Sequence, residues 1–520
     1  MEFEEMPSRR QFLSFAGGAV LRAGSFVPRR LFAETPGAPR TLSLGTRTID
    51  VHGRAATVFG ILDGAGQNGL DLYQSEGFDV RLANGTDAST VIHWHGLTPP
   101  FEYDGTEVAQ ALVAPGTTHD YRFDLSRSGT FWMHSHHGLT EQSLLAAPLI
   151  VRADSERAID RQDVTIMLHD FSFTPPEELL ARLTGQDATV IGSGTAAMNM
   201  GMMRTGPGSM AGMDHSGTAG MDNGSMPGTG AAPAMGEMAG MDHAAMGHGN
   251  MQMDLNDIAF DAYLANDRDL SDPLVVPVDR GGRVRLRIIN GAASTNFWID
   301  LGGLNGTLVA VDGMDVSPVF GGHFEIAMAQ RLDIEVVVPG DGGVFPILAQ
   351  REGDRTRTGI VLATAGAQIA KVPSEAERIA PPVLLDLERQ LVAAAPLAAR
   401  TPDRRIALDL TGDMMSYVWG LNGLTYEERS PLEVTSGDRV EITLRNQTMM
   451  SHPMHLHGHH FQVVGLGAAR LNGALRDTVI VPPMESVTIA FDADNPGEWP
   501  LHCHNLYHMA AGMMTTVEYV

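Results

Sequence analysis

The sequence predicts an all-β protein made of three homologous Greek-key β-sandwich domains, and three observations carry that prediction. Past residue 40 the chain is dominated by short alternating apolar runs, such as Arg283-Val-Arg-Leu-Arg-Ile-Ile289 and Arg439-Val-Glu-Ile-Thr-Leu444, with Gly, Pro and Asp at their ends. Period-two alternation between turn residues is the pattern of half-buried strands in a sandwich. Three such strands begin just after Gly77, Gly282 and Gly437 and end on Asn84, Asn290 and Asn446, each asparagine standing twelve residues before a further glycine, Gly96, Gly302 or Gly458. A second register repeats in the same order: Gly129-Thr-Phe-Trp-Met-His134, Gly343-Val-Phe-Pro-Ile-Leu348 and Gly497-Glu-Trp-Pro-Leu-His502 each join a glycine, an aromatic residue and a strand. Two independent registers in one order indicate an internal triplication.

In chain order, residues 1–39 form an N-terminal arm. Ser8-Arg9-Arg10-Gln11-Phe12-Leu13 is a twin-arginine pattern, and the apolar stretch behind it, Phe12 to Leu21, is half the length needed to span a bilayer. The arm therefore reads as a signal for the twin-arginine export machinery, with the periplasm as destination. No later segment has 18 uninterrupted apolar residues, so no membrane anchor is expected. The first sandwich is placed at 40–153, the middle one at 154–368 and the third at 369–520. The middle copy carries an insert, 196–253, of low complexity that is expected to be disordered.

Composition narrows the function. With 36 Lys and Arg against 62 Asp and Glu, the net charge of −26 argues against nucleic acid, whose binding rests on Lys and Arg contacts to phosphate. One cysteine excludes an intrachain disulfide, whereas 20 histidines and 29 methionines point to soft-metal chemistry.

The repeat shows where that chemistry sits. Nine and eleven residues after the asparagine stand His93 and His95 in the first copy, His455 and His457 in the third, but Ile299 and Leu301 in the middle one. In the second register the first copy has His134 and His136, the third His502 and His504, and the middle one Leu348 and Gln350. Residues i and i+2 of a strand share a face, so each pair aims two imidazoles one way and pairs from two domains can converge. Eight histidines suit three copper ions. Two histidines, a cysteine and a weak axial methionine suit a blue-copper centre, and His452, Cys503, His508 and Met513 supply that set. Cys503 points opposite to His502 and His504, which gives a short covalent path between the two centres.

The motifs His93-Trp-His95-Gly, Trp132-Met-His134-Ser-His136, His452-Pro-Met-His455-Leu-His457-Gly and His502-Cys-His504-Asn-Leu-Tyr-His508-Met-Ala-Ala-Gly-Met513 resemble those of three-domain multicopper oxidases, and the resemblance covers all three domains. It implies cupredoxin-like sandwiches and four coppers per chain. By the family pattern, His452, Cys503, His508 and Met513 hold type 1 copper, and His93 and His455 hold type 2 copper. His95, His134, His136, His457, His502 and His504 would hold the type 3 pair, where dioxygen is reduced to water. Asp104 falls where relatives carry a carboxylate near type 2 copper and is assigned a proton relay; its other reading is a turn residue before Gly105. Met509 and Ala510 stand where many relatives have a second acid.

Residues 198–253 hold 14 of the 29 methionines, and Ala-Gly-Met-Asp recurs at 211–214, 219–222 and 239–242. Thioethers favour Cu(I), so Met213, His215, Met241 and His243 are candidate captors of a substrate copper; a plain flexible linker is the alternative. Met213-Asp-His-Ser, Met241-Asp-His and Leu410-Thr-Gly-Asp-Met-Met-Ser-Tyr-Val-Trp419 are similar to segments of bacterial periplasmic copper-resistance oxidases. Met450 matches a substrate-copper methionine of cuprous oxidases, while Thr448 stands where some relatives have Asp. The resemblance implies an oxidase for Cu(I) that serves copper tolerance. The alternatives are a laccase-like oxidase of phenols and a non-enzymatic copper-binding or storage protein.

Overall fold

The computed structural model describes residues 39–186 and 255–520; the twin-arginine arm and the methionine tract, with Met213, His215, Met241 and His243, lie outside them. The described chain is nearly all β, in six sheets that follow one another in three pairs, over residues 40–152, 162–363 and 404–519. The first pair has two four-stranded sheets, the middle pair six and five strands, and the third pair seven and five. Leu42, Val80, Leu82 and Tyr121 from one sheet and Leu72, Phe131, Met133 and Leu149 from the other close the first core. Buried residues of the middle and third pairs merge into one larger core.

The asparagine register has a structural cause. In each sandwich a parallel strand pair ends in the same way, with Leu44 beside Asn84, Leu168 beside Asn290 and Leu410 beside Asn446. Each asparagine is buried, and its Oδ1 accepts the backbone N–H two residues on, from Thr86, Ala292 or Thr448. Its Nδ2 donates to two or more carbonyls of the next turn and of a neighbouring strand, such as Thr295 and Ile326 from Asn290 or Met450 and Val481 from Asn446. An Asx turn plus buried amide bonds fixes the chain where it leaves the sheet.

The glycine twelve residues later is equally specific. Gly96, Gly302 and Gly458 all have φ between 60° and 90°, a region where a side chain is strained, and a Cβ there would strike Arg331 and Asp477, the Pro346 carbonyl and the Trp499 ring respectively. Between asparagine and glycine the chain delivers its pair of side chains to a buried strand end. Among the described residues no helix is long and apolar enough to cross a membrane.

Candidate metal centre

Cys503 ends the strand Glu498–Cys503, and the short helix Leu506–Ala510 follows. The side chain of Asn505 caps that helix by accepting from the N–H groups of Tyr507 and His508, which turns His508 back toward the cysteine. The neighbouring strand His452–Leu456 brings His452. Cys503 Sγ lies 3.6 Å from His452 Nδ1 and 3.7 Å from His508 Nδ1, and the two nitrogens are 3.1 Å apart. Donors bound to one ion at about 2 Å lie roughly 3–4 Å from each other, so one cation reaches all three. Both rings are held from behind: His452 Nε2 meets Thr448 Oγ1 at 2.8 Å and His508 Nε2 meets Asp257 Oδ2 at 3.0 Å. Met513 is buried, with its backbone tied to His508 and Cys503.

The second cluster lies between the first and third sandwiches. His93 pairs with His134 across one strand pair and His455 with His502 across the other, and the second histidine of each pair lies just past its strand end. His95 stacks on His455 with centroids 3.8 Å apart, and His93 lies 3.9 Å from His457. His136 Nε2 and His457 Nε2 approach His502 Nε2 to 3.5 and 3.1 Å, and His455 Nε2 approaches His93 Nε2 to 3.5 Å. His504 closes the group, 5.0 Å from both His95 and His134.

The outward nitrogens settle what faces inward. The Nδ1–H groups of His93, His134, His455 and His502 donate to the carbonyls of Asp104, Ser135, Asp477 and Cys503 at 2.8–3.1 Å. His457 Nδ1 donates to Asp104 Oδ2 at 3.0 Å. A carbonyl only accepts, so Nδ1 keeps the proton and Nε2 presents a lone pair. His95 is reversed: its Nε2 meets Asp477 Oδ1 at 3.0 Å, and its Nδ1 is buried without a partner, as are His134 Nε2 and His504 Nε2. Lone pairs facing one another at 3.1–3.5 Å repel unless a cation stands among them.

Electrostatics point the same way. Burial, reinforced by neighbouring imidazoles, holds His95, His134, His136, His452, His455, His457 and His504 well below the usual histidine range, and burial brings His502 down to about 3. Neutral imidazoles are ready ligands. Burial pushes the Cys503 thiol up, so a soft cation is what would displace its proton. The donor set, eight inward imidazoles plus a His2Cys triangle with a nearby methionine, fits copper.

Several neighbours of these groups escape sequence reasoning. Asp257 behind His508, Glu141 with Oε2 2.7 Å from His134 Nδ1, and Asp477 beside His95 are all buried acids. Nothing in their local sequence separates them from the other acidic residues, and only the Arg476-Asp-Thr run before a strand marks Asp477. Asp104 is fully buried; its carbonyl and Oδ2 bridge His93 and His457, and Thr106 donates to the same Oδ2. Met450, two residues before His452, is buried, with its N–H on Thr448 Oγ1.

Comparison with known proteins agrees with this geometry. Three family profiles described as multicopper oxidase match residues 47–156, 225–370 and 399–520. The chain is 32% identical to the multicopper oxidase MmcO of Mycobacterium tuberculosis, over 85% of this chain and 79% of that one. It is 27% identical to a copper resistance protein A homolog of Pseudomonas syringae pv. tomato, over 98% of each. The fold is shared with Fet3p, titled a multicopper oxidase that functions in iron import, at a TM-score of 0.69 and 18% identity over 92% of this chain and 90% of that one. With three matching profiles over most of its length and a relative at 32% identity, the chain belongs to the multicopper oxidases, copper-binding oxidoreductases.

Proposed function

We propose that the protein couples one-electron oxidation of Cu(I) to the four-electron reduction of dioxygen to water, and that it does so in the periplasm after twin-arginine export, in the service of copper tolerance. In this reading His452, Cys503, His508 and Met513 hold type 1 copper, His93 and His455 hold type 2, and His95, His134, His136, His457, His502 and His504 hold the type 3 pair, four ions in all. The domains are 40–153, 154–368 and 369–520, each overlapping one matched profile. Copper bound at these residues supplies reversible one-electron chemistry, which lets single electrons be collected and dioxygen be reduced without release of partly reduced oxygen. The chain supplies the rest. Cys503 lies between His502 and His504, so two peptide links join the centres. Asp104, buried and bonded to His457, stands beside the cluster as the proton relay. Seven of the eight histidines are buried and His136 is half-buried, so the walls around the cluster keep most bulk water away.

The choice of Cu(I) over a phenol rests on the surroundings of His508. A phenol oxidase needs an open imidazole edge, and His508 is 0% exposed. Trp419 covers it at 4.2 Å between centroids, Tyr417 at 6.0 Å, and Asp257 takes its Nε2. Tyr417 adopts a φ of 47°, unusual for a bulky residue, in the turn that folds it over the site. Outside this cover the thioethers of Met414, Met415 and Met449 are exposed, Met415 at 98%. They sit on loops that leave the same end of a parallel strand pair, Arg404–Asp413 and Arg439–Asn446. Soft donors on the surface above a closed centre suit a small soft ion that gives up an electron without touching the ring. Oxygen uptake with Cu(I) and with a phenol, in the full chain and in a chain lacking 198–253, tests this. Faster turnover of Cu(I), reduced by the deletion, is expected; phenol turnover exceeding that of Cu(I) would establish the laccase-like reading instead, and copper binding without oxygen uptake the storage one.

A further inference from the structure

The middle sandwich has lost all histidines of the cluster, yet it sends one charged side chain to its edge. Arg331 begins the strand Arg331–Val337 and is completely buried. Its guanidinium grips the Asp477 carboxylate with both arms, NH1 on Oδ1 at 2.8 Å and NH2 on Oδ2. The remaining donors are used as well: Nε donates to the Thr130 carbonyl at 3.1 Å, NH1 to Ala329 and NH2 to the Asp312 carbonyl. Thr130 lies on the strand Gly129–Ser135 that carries His134, and Asp477 belongs to the third sandwich. One side chain therefore touches all three sandwiches.

Asp477 passes this grip to the histidines. Its Oδ1 accepts from His95 Nε2 at 3.0 Å, and its backbone carbonyl accepts from His455 Nδ1 at 2.8 Å. His95 is the cluster member whose Nε2 faces outward and whose buried Nδ1 has no partner. A second observation is steric. Gly96, directly after His95, has φ of 90°, and a Cβ there would strike Arg331 NH2, Asp477 Oδ2 and the Phe131 ring together. The glycine of the His93-Trp-His95-Gly motif leaves the space this ion pair fills.

We infer that Arg331 is a positioning residue for the histidine cluster: by clamping Asp477 it fixes the carboxylate that orients His95 with Nδ1 inward. The middle sandwich thus acts on the cluster through charge after losing its ligands. The inference rests on the copper-binding reading above.

A comparison of two buried arginines separates this role from plain structural need. Arg287, also in the middle sandwich and 0% exposed, bonds Thr130 Oγ1, Asp163 and Glu156 but no histidine or histidine partner. Arg331→Lys and Arg287→Lys are each prepared copper-free, loaded with Cu(II), dialysed and counted for copper, with the blue absorbance of the Cys503 centre, the near-ultraviolet and paramagnetic signals of the cluster, and the thermal midpoint recorded. Arg331→Lys is expected to keep the blue band but to bind cluster copper roughly 10- to 100-fold more weakly, the usual effect of removing an outer partner of a ligand. Arg287→Lys is expected to lower the thermal midpoint and leave the copper count at that of the parent. Equal copper loss in both, or full retention in Arg331→Lys, overturns the inference. If Arg331→Lys does not fold, Asp477→Asn, nearly the same shape, decides by the same counts: selective loss of cluster copper supports the clamp, and parent-like binding overturns it. A parent that binds no copper refutes the metal reading itself and is thereby distinguished from failure of the clamp.

Discussion

The third and middle sandwiches share a parallel strand pair ending on leucine and asparagine, an Asx turn from that asparagine, and a left-handed glycine twelve residues on. At the strand end between them the third presents His455 and His457 to the cluster, and the middle one presents Ile299 and Leu301, both buried in the core. The same backbone device therefore serves chemistry in one copy and packing in the other. Architecture resides in the asparagine and glycine, chemistry in a few side chains between them.

The sharpest break in this comparison is Cys503→Ser. The middle sandwich has no counterpart of the Cys503 centre, so removing the thiolate should make the third sandwich as inert to electrons as the middle one. Loss of the blue band and fall of oxygen uptake to background are expected, with copper still bound by the eight histidines. Oxygen uptake that survived the change would refute the electron path through Cys503.

The reverse graft should fail. Ile299→His with Leu301→His restores the spacing of the histidine pair, but both positions are buried in the apolar core, whereas His93 and His455 are held by the Asp104 and Asp477 carbonyls. Two buried imidazoles without partners should cost at least about 3 kcal/mol, read by urea unfolding, and add no copper. A fifth copper would show that the histidines alone make the site.

Asparagine should matter equally in both copies. Asn290→Ala and Asn446→Ala each strand a buried N–H and two or more buried carbonyls, and each should cost about 2–4 kcal/mol in the copper-free protein. A much larger loss at Asn446, beside Thr448 and His452, would mean that this asparagine serves the metal centre rather than the turn.

What could be read from the chain follows the same division. The strands, the threefold repeat and its two registers were legible because turn residues and alternation are local. The histidines and Cys503 that converge here were legible because each motif is contiguous and recurs on the repeat. Asp477 and His95 are 382 residues apart, His508 and Asp257 lie on different elements, and Glu141 is one acid among 62 acidic residues. Such partners are set by how sandwiches dock, and docking leaves no periodic trace. The closed cover of Trp419 and Tyr417 over His508 was equally hidden, since it depends on a turn with positive φ at a tyrosine.

The smallest expected effect is one of sign. In the copper-free protein His95, His134, His136, His452, His455, His457, His502 and His504 have folded pKa values below the unfolded value of about 6.5, so the stability of keeping them neutral is present above that pH and is lost as pH falls. The middle sandwich carries the opposite case. Glu352 is buried, accepting from Asn296 Nδ2 at 2.8 Å and from the Val383 N–H at 2.6 Å, and burial raises it to about 7. Its unfolded value is about 4.3, so its contribution is full below that pH and is lost as pH rises toward 7, by up to about 1.4 kcal/mol per unit. Glu352→Gln stays neutral throughout, and its amide oxygen still accepts from one of the two partners. The difference in unfolding free energy between pH 5 and pH 7 should therefore shift in the variant, relative to the parent, toward greater stability at pH 7 by on the order of 1–2 kcal/mol. An unchanged difference would mean that Glu352 is solvated as the native chain breathes and contributes nothing to the pH dependence of the middle sandwich.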